Sequence, residues 1–220
     1  MLSLVVSLSL LGACSDDSSL APDLSIQAIP AAEPALSPPM EFNADRSAYF
    51  GDLHVHTMYS FDAFMFGTTS PPDDAAEFGK GGTIVHPAGF DMKLQVPLDF
   101  YGVTDHAYYL GVLRQLANPD SEISKHPIAS GMSTLGGVLE RRQKNREVNQ
   151  FMRSDNGHEI NDPDIQKSAW DDIVAAANRH NDPGNFTSFI AYEYTASAPD
   201  AARLHRNCLL YTSPSPRDGL

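Results

Sequence analysis

Apolar residues in the middle of the chain form three short runs with the length and composition of β-strands. The runs cover residues 49–56, 98–106 and 187–194, and each is rich in aromatic or β-branched residues. Glycine, proline or aspartate bounds each run, as is typical where strands enter and leave a sheet. The pattern therefore predicts three strands at these positions.

A longer segment before the third run has the spacing of an amphipathic helix. Its apolar residues recur every three or four positions, at Ile165, Ala169, Ile173, Val174 and Ala177. Asn161 or Asp162 can cap the first turn, in which Pro163 is well tolerated. The sequence Asn-Asp-Pro-Gly at 181–184 is a turn signal that ends the helix before the third strand.

Two further helices are predicted, one over residues 135–152 and a short one over residues 71–79. Strands that alternate with helices are typical of βα units, in which parallel strands form the sheet and helices cover it. The chain is therefore predicted to have an α/β fold with a parallel sheet, and a β/α barrel is one such architecture.

The amino-terminal end has a different character. Residues 1–14 form an apolar run that is too short to span a bilayer, and its ending, Leu-Gly-Ala-Cys, is similar to the lipobox of bacterial lipoproteins. We expect a signal peptide cleaved before Cys14, whose lipid would anchor an exported protein at the periplasmic or outer surface. The alternative is an ordinary cleaved signal. Residues 15–41 are rich in Pro, Ser and Ala and predict a disordered tether.

The carboxyl-terminal end also departs from the central pattern. Residues 208–220 contain the string YTSPSPRD, which resembles translated sequencing-adapter read-through. We expect this tail to be non-native, with a natural Pro/Ser-rich tail as the alternative. The folded domain is then expected to cover residues 42–207 and to be the amino-terminal part of a longer one.

Charge and composition narrow the classes of function. Fifteen Lys and Arg residues against 28 Asp and Glu residues give a net charge of −13. A surface this acidic repels phosphate backbones, so we expect no nucleic-acid partner. The sequence contains no phosphate-binding glycine loop, no Gly-x-Ser-x-Gly elbow and no Cys-x-x-Cys pair. Kinase, serine-hydrolase and dithiol redox functions therefore lack their reacting groups.

Residues that commonly bind metals gather at the predicted strand ends. The first strand ends in His54 and His56, which share one face of the strand, the second in Asp105 and His106, and the third in Glu193. The carboxyl ends of parallel strands form the ligand-binding edge of α/β proteins. A cation would also offset the cost of burying Glu193 after an apolar run. The set predicts a metal site, with a satisfied polar core as the alternative.

The same motifs resemble those of a known superfamily. Gly51-Asp-Leu-His-Val-His-Thr, together with Ser60-Phe-Asp-Ala, is similar to the first motif of the PHP (polymerase and histidinol phosphatase) superfamily. Val103-Thr-Asp-His resembles its second motif and Ala191-Tyr-Glu its third. Over about residues 48–207, the chain more specifically resembles a bacterial family of exported PHP-like proteins that carry a domain of unknown function.

The resemblance implies a distorted β/α barrel, here incomplete at the carboxyl terminus, that holds two or three zinc, manganese or iron ions at its carboxyl face. The implied metal ligands are His54, His56, Asp62, His106, Glu193 and His205. Of these, Glu193 would bridge two ions, and His106 with Asp62 would serve a third position. The superfamily takes further ligands from beyond Asn207, so this part alone is expected to be inactive. The other histidines are expected to lie elsewhere: His86, His126, His158 and His180.

The implied activity is metal-dependent hydrolysis of a small phosphoester by a water that the ions activate. Asp105 would orient His106 or the histidines of the first strand, and Arg206 would contact a phosphate. Contact with a membrane is expected only through the lipid anchor. Two alternatives stay open: an amidohydrolase-type enzyme that cleaves C–N bonds, and a surface metal-binding protein without turnover.

Overall fold

Strands and helices alternate along the part of the chain that the structure, a computed structural model, describes: residues 48–196 and 204–210. The strands are β1 (Gly51–Val55), β2 (Ile84–Val85), β3 (Asp91–Met92), β4 (Phe100–Val103), β5 (Thr187–Ala196) and β6 (Leu204–Leu210). The helices are α1 (Phe61–Phe66), α2 (Pro72–Gly79), α3 (Val112–Leu116), α4 (Val138–Met152) and α5 (Pro163–His180). Short 3₁₀ segments connect α3 to α4 and α4 to α5.

The main sheet has four strands in the order β1-β4-β5-β6. Strands β1, β4 and β5 are parallel, as predicted, and the curled sheet with its helices forms an incomplete α/β barrel. Strand β6, which the sequence analysis did not predict, is antiparallel to β5 and so adds an antiparallel edge to the predicted parallel sheet. The connection over 197–203 is shorter than the dozen or so residues that a parallel crossover needs, so the chain must return in the opposite direction.

The predicted elements correspond closely to the observed ones. The three predicted strands are β1, β4 and β5, and the three predicted helices are α2, α4 and α5. Asp162, one of the two candidate caps, accepts hydrogen bonds from the backbone N–H groups of Asp164 and Ile165. The sequence pattern missed the short helices α1 and α3, the small β2–β3 hairpin and strand β6. The two helices and the hairpin are too short to show much periodicity.

The predictions for the two ends of the chain fall largely outside the described residues. The expected signal peptide over 1–14, with Cys14, and the expected tether over 15–41 lie outside the described residues, as does the segment 211–220 of the expected tail. The first residues of that tail, from Cys208 to Leu210, pair with β5 as the end of β6. Within the described ranges, no helix is long and apolar enough to cross a membrane.

Two apolar clusters form the core of the described residues. One packs α1, α3 and the end of α4 together around Met65, Val112 and Leu113. The other packs α5 against the sheet through Tyr101, Val103 and Ile173, with Trp170 partly buried at its border. Burial of such side chains is the main favourable term in folding, so these clusters determine where α1 and α5 lie.

We expect Leu113→Ala to lower the free energy of unfolding by about 2–5 kcal/mol, because it removes a large side chain from a filled core. Leu113 is 1% exposed, whereas Leu139 in α4 is 80% exposed. Leu139→Ala is therefore the matched control, with an expected change within about 0.5 kcal/mol. Urea unfolding followed by circular dichroism measures both, and equal losses in the two variants would contradict this assignment of the core.

Candidate metal centre

Six side chains from the carboxyl edge of the sheet meet in one cluster. They come from β1 and the turn after it, from the first turn of α1, from the end of β4, and from β5 and β6. They are His54, His56, Asp62, His106, Glu193 and His205. The structure thus brings together every residue that the sequence analysis named as a metal ligand.

Glu193 is the centre of this cluster. Its side chain is 2% exposed, and its Oε2 lies 3.1 Å from Nε2 of His54 and 2.8 Å from Nε2 of His56. Its other oxygen, Oε1, contacts Nδ1 of His205 and lies 3.6 Å from Nδ1 of His106. The two carboxylate oxygens therefore face two different pairs of histidines.

Asp62 forms a second carboxylate contact with two of these histidines. Its Oδ1 lies 3.1 Å from Nδ1 of His56, and its Oδ2 lies 3.4 Å from Nε2 of His106. The hydroxyl of Ser60 donates a 2.7 Å hydrogen bond to Oδ1 of Asp62. Because α1 begins directly after Ser60, the first turn of this helix carries Asp62 to the strand ends.

The cluster divides into three overlapping groups that could hold a metal ion, and within each group the ligand atoms lie within 4.8 Å of one another. The groups are His54, His56 and Glu193; His56, Asp62 and His106; and His106, Glu193 and His205. Bonds of about 2.0–2.1 Å to a tetrahedral ion separate its ligands by about 3.3 Å. The separations of 2.8–3.6 Å around Glu193 are close to that value. Imidazole and carboxylate ligands suit zinc, manganese and iron.

The carboxylates of the cluster are held in their ionised form. Burial alone raises the pKa of Asp62, but its bonds to His106 and His56 hold that pKa well below its ordinary value. Burial likewise raises the pKa of Glu193, while the charge of His106 and the bond to His205 bring it below the ordinary range. Burial lowers the pKa of His56, but the bond to Asp62 and the charges of Asp62, Asp105 and Glu193 together raise it above its ordinary value. The cluster therefore presents negative oxygens among imidazole nitrogens.

Asp105 lies beside the cluster with a different partner from the one expected. The sequence analysis predicted that it would orient a histidine, but its two oxygens accept hydrogen bonds from the N–H and the hydroxyl of Thr57. Its side chain projects toward the turn after β1, since β4 runs parallel to β1. Burial raises the pKa of Asp105 to about 6, although the bonds from Thr57 oppose the rise. Asp105 thus fixes the residue that follows His56.

Arg206 does not reach the cluster. It is paired with Tyr194 across β5 and β6, one position away from the pair formed by Thr195 and His205. Because successive side chains of a strand point to opposite faces, Arg206 lies on the face of the sheet away from His205. The predicted phosphate contact of Arg206 is therefore not supported by the geometry.

Several residues around the cluster had no role predicted from the sequence. Thr57 and Ser60 lie within the first quoted motif, but no function was expected of either side chain. Thr195 could have been found, because it follows Glu193 by two residues and so shares its face of the strand. Asn207 donates a 2.8 Å hydrogen bond to the carbonyl of Leu53 and ties β6 to β1.

The other four histidines lie outside the cluster, as predicted. His126 contacts Glu159 and His180 contacts Asp73, at 3.1 and 3.0 Å. His86 stacks on Phe90 in the β2–β3 hairpin, and Nδ1 of the exposed His158 lies 2.6 Å from the carbonyl oxygen of Asp155.

Comparisons with known proteins identify a family. A family model described as a protein of unknown function, DUF3604, matches residues 43–218. No curated protein and no solved structure matches the chain. The match agrees with the expected domain of unknown function, whereas the resemblance to the PHP superfamily stays a prediction.

Thr57→Val is expected to lower the free energy of unfolding by about 1–3 kcal/mol, because the buried carboxylate of Asp105 loses one of its two donors. Thr57→Ser keeps the hydroxyl and is the matched control, expected to retain most of the native stability. Urea unfolding of the metal-free protein measures the difference. Native-like stability of Thr57→Val would show that the hydroxyl does not support Asp105.

Proposed function

The chain belongs to the DUF3604 family, and we propose that it is a metal-dependent hydrolase that acts on small phosphoesters. The observation that carries the proposal is the almost completely buried carboxylate of Glu193, which faces nitrogen atoms of three histidines at contact distance.

A buried carboxylate requires a compensating positive charge. Removing an ionised carboxylate from water is costly unless it is paired or binds a cation. The surrounding imidazoles supply hydrogen bonds to the oxygens of Glu193. A divalent ion would supply that charge and would use the imidazole lone pairs as ligands.

The two oxygens of Glu193 would allow it to bridge two ions. One oxygen faces His54 and His56, and the other faces His205, with His106 farther away. Neighbouring ions that share a carboxylate are the arrangement used by two-metal phosphoester hydrolases. When bound, such ions lower the pKa of a water molecule and polarise a phosphoryl oxygen.

Neighbouring residues would hold the metal ligands in position and leave a path for the substrate. The hydrogen bonds of Asp105 to Thr57 hold the turn that carries His56, and the core-packed helix α1 holds Asp62. The side chain of His54 is 63% exposed, which leaves one side of the cluster open to solvent. Substrate would approach the cluster from this open side.

A cavity beside the cluster has the size of a small-molecule site. Its volume is about 410 Å³, and His56, Asp52 and Tyr101 are among its lining residues. Ligand pockets typically measure about 300–1,000 Å³. A larger cavity of about 490 Å³ lies between the end of α1, the β2–β3 hairpin and α4, but none of the six cluster residues lines it. We assign the substrate to the smaller cavity because one of the proposed metal ligands, His56, lines it.

The choice of a phosphoester rests on the resemblance of the strand-end motifs to those of the PHP superfamily. The net charge of −13 further favours a small phosphorylated molecule over a nucleic-acid polymer. Cleavage of C–N bonds and metal binding without turnover are the competing outcomes of the experiment below.

Glu193→Gln in the full-length protein is expected to reduce bound zinc or manganese and phosphoester hydrolysis together, each by about 100-fold or more, because it removes the bridging carboxylate while keeping its shape. Metal content by mass spectrometry and hydrolysis of p-nitrophenyl phosphate measure the two effects. His158→Ala removes an exposed histidine outside the cluster and is the control, expected to leave both unchanged.

Three results would change the assignment. Native metal content in Glu193→Gln would contradict the metal centre. Hydrolysis of amide substrates but not of phosphoesters would favour a C–N hydrolase. Tight metal binding without turnover on either class of substrate would favour a binding protein.

We also propose that the protein is exported and anchored through lipid on Cys14, which the Leu-Gly-Ala-Cys ending of the first 14 residues supports. Labelled palmitate is expected to enter the native protein expressed in bacteria and to be absent from Cys14→Ser. Equal labelling of both proteins, or no labelling of the native protein, would refute the anchor.

A further inference from the structure

His106 belongs to two of the three metal-binding groups, and it offers a different nitrogen atom to each. Its Nε2 lies 3.4 Å from Oδ2 of Asp62, and its Nδ1 lies 3.6 Å from Oε1 of Glu193. A neutral imidazole has one lone pair and one N–H group. His106 can therefore serve one group or the other, but not both.

We propose that Thr195 makes this choice. Its hydroxyl oxygen would accept a hydrogen bond from Nδ1–H of His106, so that the lone pair lies on Nε2 and binds an ion beside Asp62. Thr195 is then a positioning residue that acts through His106. The proposal rests on the proposed function in one respect, since it requires that the cluster binds metal.

The distances favour Thr195 over Glu193 as the partner of this nitrogen. Oγ1 of Thr195 lies 2.6 Å from Nδ1 of His106, a full ångström closer than Oε1 of Glu193. Oγ1 also lies 3.5 Å from Nδ1 of His205, but that contact is too long to compete. The hydroxyl is therefore directed mainly at His106.

The ring of His106 cannot turn to exchange its two nitrogens without disturbing its surroundings. Its side chain is 4% exposed, and the ring stacks on Phe61 at a centroid distance of 4.7 Å. The backbone of His106 is also bridged to Glu193 on β5. A buried ring stacked on Phe61 keeps Nδ1 facing Thr195 and Nε2 facing Asp62.

The position of Thr195 follows from the register of two strands. Thr195 follows Glu193 by two residues on β5 and therefore shares its face, and His205 lies opposite it on β6. The same alternation that directs Glu193 into the cluster thus directs the hydroxyl of Thr195 at the adjacent imidazole.

With Nδ1 of His106 engaged by Thr195, the third group keeps only Glu193 and His205 as ligands. The group of His54, His56 and Glu193 contains neither His106 nor Thr195 and is unaffected. An ion beside Asp62 should therefore depend on Thr195, while an ion between His54 and His56 should not.

The test compares Thr195→Val, which removes the hydroxyl at nearly constant shape, with Thr195→Ser, which keeps it. Zinc affinities of the full-length proteins are measured by competition with a chelator. We expect Thr195→Val to weaken one class of bound zinc by about 10–100-fold, the usual effect of losing a hydrogen bond to a metal-bound histidine. The other class should keep its native affinity, and Thr195→Ser should restore both.

Histidine nitrogen NMR of the zinc-loaded proteins provides a readout that a general loss of stability would not move. In the native protein and in Thr195→Ser, His106 should bind zinc through Nε2 and show a protected Nδ1–H. The His106 signals are assigned as those missing from the spectrum of His106→Asn. Equal thermal unfolding of the metal-free variants shows that the fold is intact.

Zinc bound through Nδ1 of His106 in the native protein would overturn the role of Thr195, as would native affinities in Thr195→Val. Both of these results leave the metal-dependent function standing. A native protein that binds no zinc or manganese would refute the proposed function and this inference together. Zinc bound as expected, but without hydrolysis, would support the role of Thr195 and refute only the hydrolase.

Discussion

The burial of one carboxylate, that of Glu193, is the constraint on which the functional edge of this protein depends. Its side chain contacts histidines of β1 and β6. Its backbone pairs with the segment after β4: the N–H of Glu193 donates a 2.9 Å hydrogen bond to the carbonyl of Asp105, and the N–H of Ala107 donates a 3.0 Å hydrogen bond to the carbonyl of Glu193. An ionised group in this position is stable only with polar partners on every side. The contacts of this carboxylate come from β1, from the segments after β1 and β4, and from β6.

Packing in the apolar core fixes the position of residues in this cluster. Phe61 and Met65 are buried in the first cluster, and they fix the short helix α1 so that Asp62, next to Phe61, faces the strand ends. Phe61 also forms the surface on which the ring of His106 stacks. The same residue thus packs the core and orients a candidate ligand, which is why a change in that core would be felt at the metal centre.

The pairing of strands divides the residues near the cluster into two sets. Glu193, Thr195 and His205 lie on the functional face, whereas Tyr194 and Arg206 lie on the other. The division is strict because a strand alternates its side chains between faces, and a shift of one residue would exchange the two sets. The centre consequently contains imidazoles, carboxylates and hydroxyls, and Arg206 is kept away from it.

Much of this protein was determined by the sequence alone. Three strands with ligand residues at their ends, and the helix that Asp162 caps, follow from periodicity and turn signals, because these depend on neighbouring residues. The six candidate ligands followed from the motifs.

Only the tertiary structure decided which atoms meet. It showed that Asp105 contacts Thr57 rather than a histidine, that β6 runs antiparallel, and that Thr195 lies against His106. Such contacts join residues far apart in the chain, and their geometry depends on register and packing, which local sequence patterns do not encode.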